Sequence, residues 1–133
     1  MRAGPCERCH PRATSAAPQD PLQSLRETLR RFAVARDWAQ FHLPKNLAMA
    51  LSVEAAELLE PFRWLPEAES AALAPVRCLR IGEQMADVLR YRICLADRLN
   101  VDLAAAARRK MRISARRYPV AKARGSSRNY TEL

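Results

Sequence analysis

The sequence predicts an all-α, four-helix-bundle-like fold, and three observations carry the prediction. Large apolar residues recur at three- and four-residue steps from Leu22 to about Tyr118. No period-two alternation of useful length appears, so strands are not expected. Proline and aspartate stand where helices begin rather than inside them. At 133 residues the chain has the size of one domain with tails: an N-terminal tail over 1–21, a helical domain over 22–118 and a basic C-terminal tail over 119–133.

Residues 1–21, "MRAGPCERCHPRATSAAPQDP", hold almost no large apolar side chains and are expected to be disordered. The first helix is expected from about Leu22 to Arg36, with Leu22, Leu25, Leu29 and Phe32 on one stripe. "RDWAQFHLPKN" connects it to a second, from Lys45 to about Glu60, with Pro44 at its start, where a missing N–H does no harm. After the break "PFRWLPEAES", a third helix spans about Pro75 to Leu99. The fourth runs from about Asp102 to Arg117, with Asp102 as its N-cap. Beyond Pro119, Gly125-Ser126-Ser127 marks an extended or mobile tail.

Composition excludes several classes. No run of 18 apolar residues is present, so a membrane span is not expected. The N-terminus has a basic start without a continuous apolar segment, which argues against a secretory signal and makes a cytoplasmic location the default. The four cysteines lack the spacing of a disulfide scaffold and are expected as free thiols. "CERCH" (6–10) has the spelling of a haem attachment site or of half a zinc site. With neither an export signal nor a second ligand pair, it reads as coincidence. Charge is uneven: from Arg108 to Leu133, nine basic side chains face one acid, Glu132, so this end holds +8 of the formal +9. Such a segment suits a polyanion, whether nucleic acid or the triphosphate of a nucleotide.

"LAMALSVEAAELLEPFRWL" (47–65) carries the informative anomaly. Leu47, Leu51, Glu54 and Leu58 fall on one helical stripe, and Glu57 is the neighbour of Glu54 three positions on. An ionised carboxylate among leucines is costly unless paired or bound to a cation. A second acid-bearing helix follows in "IGEQMADVLRYRICLAD" (81–97), where Glu83, Gln84 and Asp87 stand four and three apart and converge on one face. Two such helices make an oxygen-rich cage suited to a hard cation such as Mg²⁺. Pairing of these acids to the many arginines is the alternative, and spacing alone does not choose.

The residues also carry a resemblance. Glu54-x-x-Glu57, with Asp87 on a later helix, resembles the Glu-x-x-Glu plus Glu-x-x-Asp signature of all-α nucleoside triphosphate pyrophosphohydrolases of the MazG type. "RDWAQFHLPKNLAMALSVEAAELLEPFRWL" (36–65), "ADVLRYRICLADRLNVDL" (86–103) and "KMRISARRYPVAKARGSSRNYTEL" (110–133) are similar to the small MazG-like branch that includes dCTP pyrophosphatase. The resemblance implies a helical homodimer or homotetramer that hydrolyses a nucleoside triphosphate, with Mg²⁺, to the monophosphate and pyrophosphate. It assigns Glu54, Glu57 and Asp87 to the catalytic metal. Lys110 is assigned to a phosphate, and Trp38 and Trp64 to a wall where indoles stack on a base. His42 is a further candidate for that wall, with a purely structural role as its alternative. Both tryptophans read equally as core or interface anchors.

Departures from the pattern temper the assignment. Gln84 stands where the family has glutamate; its amide oxygen can touch Mg²⁺ but brings no charge, and Glu83 is only a partial substitute. Ser114 stands where relatives carry asparagine, and Arg112 where they carry an acid. Arg90 and Arg92 interrupt an apolar helix. Arg92 falls on the stripe of Ile81, Met85 and Val88, where a buried unpaired arginine costs about 3–5 kcal/mol unless it snorkels, pairs or lines an interface. Two further readings therefore stand beside the enzyme: a catalytically weakened nucleotide-binding or regulatory homologue, and, less favoured, a nucleic-acid-binding protein.

Overall fold

Local chemistry at each helix start explains the architecture of the computed structural model, which describes residues 20–133. α1 covers Pro21–Val34: Pro21 takes the first position and the Asp20 carboxylate accepts the Leu22 N–H at 3.1 Å. Pro44 opens α2 (Pro44–Leu59). A 3₁₀ turn over Glu60–Phe62 and the short α3 (Glu67–Ser70) lead to α4 (Pro75–Arg98), again opened by proline. Asp102 caps α5 (Leu103–Arg117), accepting the Ala105 N–H at 2.8 Å. The short α6 (Val120–Ala123) and a 3₁₀ turn over Tyr130–Glu132 follow. No strand occurs among the described residues.

α2 lies along α4 and α1 packs on α4. Their shared core is small: Leu47 of α2, Ala33 of α1, and Ile81, Ile93 and Ala96 of α4 are buried. Leu47, 2% exposed, is the deepest side chain, and a leucine buried to this degree stabilises by about 1.5–3 kcal/mol. Asp97 of α4 ties α1 down, accepting Nε and Nη2 of Arg30 at 2.7 and 2.5 Å, with Arg26 Nε 3.7 Å away. α5 shares no comparable packing with α1, α2 or α4. The chain reaches it through Asn100, held at φ 53°, while the Val101 N–H closes onto the Ala96 carbonyl at 2.8 Å. Asparagine tolerates this left-handed geometry better than most residues with a side chain.

Two expectations change. The tail boundary at residue 21 is too late, because Asp20 and Pro21 cap and open α1; the remainder of that expectation, with Cys6, Cys9 and the "CERCH" reading, lies outside the described residues. The C-terminal tail is not simply extended: α6 and the final turn fold it, and Tyr118 meets Tyr130 edge to face at 5.8 Å with Arg117 over the Tyr130 ring. Arg92 is exposed, so no buried charge arises. The stripe it continues is itself open, with Met85 57% exposed. Cys78 and Cys94 are free thiols, and burial pushes the Cys94 pKa up. No helix among the described residues is long and apolar enough to cross a membrane.

Candidate functional site

The α2/α4 pairing turns the leucine stripe of α2, and Glu54 with it, toward α4. Leu47 is buried and Leu51, Glu54 and Leu58 are half-buried, whereas Glu57 stands at the exposed edge. From α4, Gln84 and Asp87 come up half-buried, while Glu83, one position round the helix, faces solvent. Burial holds the Glu54 carboxyl above the usual glutamate range; repulsion from Asp87 and then Glu57 adds to this, and Arg90 partly offsets it. Three carboxylates from two helices thus share one electrostatic neighbourhood.

Two details sharpen the picture. Gln84 Oε1 is buried and has no hydrogen-bond donor, an unsatisfied acceptor beside the carboxylates. Asp87 Oδ1 lies 3.0 Å from Arg90 Nη1, one turn along its own helix. The donor set is all oxygen, the chemistry a hard divalent cation takes, and the orphaned Gln84 oxygen is a ready neutral ligand. Its arrangement is loose: among the described residues no three His, Cys, Asp or Glu side chains stand close enough to hold a metal ion. Like charges repel, and Arg90 draws Asp87 aside. The residues fit Mg²⁺ in kind, with Asp87 engaged elsewhere.

Glu57 and Gln84 also line an open groove of about 610 Å³ bounded by Trp64, Arg77 and Arg80. Trp64 is 83% exposed, with the Arg63 guanidinium 5.1 Å from its ring centre. Trp38 sits at the other end of α2. Asp37, at φ 53°, starts the turn that presents it, and Gln40 Nε2 braces that turn on the Asp37 carbonyl at 3.0 Å. Its ring meets Phe32 edge to face at 5.6 Å and lies 6.4 Å from His42. Trp38 and His42, with Phe41, Asn46 and Tyr91, line a second concavity of about 370 Å³. Burial, reinforced by Arg98 and Arg90, holds the His42 imidazole below its ordinary pKa. Within one chain the fold therefore brings together Glu54, Glu57, Gln84 and Asp87, and separately Trp38 with His42. It does not unite the two tryptophans, nor does it place Lys110 (exposed) and Ser114 (half-buried) of α5 in either concavity.

Sequence reasoning missed Arg77, Arg80 and Tyr91. The arginines were legible: they precede Gln84 by seven and four residues, on the face that carries the acids. Tyr91 sits four residues after Asp87 on that same face.

Comparison with known proteins gives the family and the fold. Residues 49–133 match the profile of the MazG-like family. The dCTP pyrophosphatase 1 of Homo sapiens is 44% identical over 121 residues, covering 90% of this chain and 71% of that protein, and the Rattus norvegicus protein of the same name is 42% identical over the same shares. Among solved structures, a pyrophosphatase from Archaeoglobus fulgidus DSM 4304 superposes with a TM-score of 0.70 at 38% identity, over 74% of this chain and 92% of that one.

Proposed function

The chain belongs to the MazG-like family and is a nucleotide pyrophosphohydrolase, and from that premise we propose that it hydrolyses a deoxynucleoside triphosphate, preferring deoxycytidine nucleotides, with Mg²⁺. Water adds across the phosphoanhydride linkage between the α- and β-phosphates, breaking a P–O bond to the bridging oxygen and giving the monophosphate and pyrophosphate. The observation that supports this most is that Glu54 feels the charges of Asp87, across α2/α4, and Glu57, on its own helix, with the unpartnered Gln84 oxygen on the same α4 face as Asp87. Those four side chains would hold the cation, which when bound neutralises phosphate charge and acidifies a water. Burial and its acidic neighbours raise the Glu54 pKa, and a cation held beside it would oppose that shift.

The same reading includes self-assembly in the cytoplasm. Met49 and Val53 of α2 and Met85 and Leu89 of α4 are large apolar side chains left exposed in the single chain. Trp38, Trp64 and Lys110 lie apart in one copy, so a dimer or tetramer is the way for them to serve one nucleotide. A weakened enzyme is the second reading, favoured by the missing charge at Gln84 and by the hold of Arg90 on Asp87.

Pyrophosphate release from a panel of dNTPs and NTPs, with Mg²⁺ and with a chelator, tests both on the wild type and Gln84→Glu. Metal-dependent release by the wild type supports the enzyme. Release only by Gln84→Glu supports the weakened homologue, and silence in both removes the assigned reaction. Light scattering on the same samples reads the assembly.

A further inference from the structure

The groove beside Gln84 contains two cations that the metal-and-carboxylate chemistry does not use. Arg77, Arg80 and Gln84 form one row on α4, and the fold sets that row across the groove from Glu57 and Trp64. Neither arginine pairs with an acid among the described residues, although Glu57 and Glu60 line the same groove. Both are exposed, so their donors are free to meet a ligand. Lys110, the cation the family pattern assigns to phosphate, stands on α5, away from this groove.

Resting on the pyrophosphohydrolase reading, we propose that Arg77 and Arg80 bind the pyrophosphate end of the triphosphate and hold the leaving group. Guanidinium forks match phosphate oxygens two at a time, and two of them a turn apart along a helix can span neighbouring phosphates. Gln84 favours the arrangement: with Glu57 and Glu60 already facing the two arginines, a glutamate there would tip the groove to net negative, while the amide leaves its charges balanced. Phosphates are then held by the protein's own cations as well as through a carboxylate-bound metal. Inorganic pyrophosphate should therefore bind without Mg²⁺.

Calorimetric titration of inorganic pyrophosphate into the full chain in EDTA tests this on the wild type, on Arg77→Gln/Arg80→Gln and on Arg112→Gln of α5 as a control for general charge loss. Circular dichroism verifies that the helices persist. The expected result is binding by the wild type, at least about tenfold weaker in the double variant, unchanged in Arg112→Gln and partly restored by Arg77→Lys/Arg80→Lys. Equal affinity in the double variant, or none in the wild type, overturns the assignment. Nucleotide hydrolysis, read separately, keeps the two ideas apart. A wild type that binds pyrophosphate through these arginines but cleaves no nucleotide sinks the reaction alone. Hydrolysis whose KM and product inhibition ignore the double substitution sinks the arginine groove alone.

Discussion

α2 with α4, and α5 by itself, are built from similar material to opposite effect. Each of the three helices carries an apolar stripe, more sharply set off in α4 and α5 than in the largely apolar α2, and each starts on a proline or a capping aspartate. In the first pair an apolar stripe is met by another stripe of the same chain, Leu47 is sealed, and the carboxylates riding on those stripes are carried to a common place. In α5 no residue is buried and Met111 is 70% exposed. Intrachain packing is what converts a pattern of residues into side chains with a set place. Where it is absent, as for Lys110 and Ser114, the pattern stays a list.

Substitutions can break or sharpen that contrast. If the α2/α4 face alone holds the chemistry, Glu57→Ala should lower pyrophosphate release by at least about 100-fold with helix content unchanged; retained release in a discontinuous assay would move the site elsewhere. Leu47→Ala should destabilise by about 2–5 kcal/mol in urea unfolding, whereas Met111→Ala should stay within about 0.5 kcal/mol. A large Met111 effect that grows with protein concentration would mean that α5 finds its partner in another copy. Asp102→Ala, which removes the only cap holding the start of α5, should cost about 1 kcal/mol in the same experiment. Smallest is Arg90→Ala: the pair it breaks is half exposed and worth at most about 1 kcal/mol, so freeing Asp87 should tighten Mg²⁺ binding only a few-fold by calorimetry. Weaker binding would show that Arg90 positions Asp87 rather than competing for it.

The legible parts of the molecule divide along the same line. Helices were readable to within two residues wherever period and cap agreed, as at Pro44, Pro75 and Asp102. Asp20-Pro21 gives the same signal, yet the low apolar content upstream led those two residues to be assigned to the tail. The coupling of Glu54, Glu57 and Asp87 follows from helical spacing on two elements that do pack. Separation of Trp38 from Trp64 was readable in the 16-residue length of α2 between them, about 24 Å of helix, and went unused. The fate of Asp87 was missed too. Arg90 registered as an interruption of an apolar stripe, and its geometry as a partner three residues on went unused.

Asn100 gives α5 a mechanical character. With little packing to brace the helix, its heading relative to α4 is set by a few dihedrals around one left-handed residue and the Val101–Ala96 bond. A 15-residue helix is about 22 Å long, so a rotation of about 20° at that pivot sweeps its far end through about 8 Å. Six of the chain's 23 Lys and Arg side chains, with no acid among them, thus ride on a lever whose fulcrum is a single amino acid.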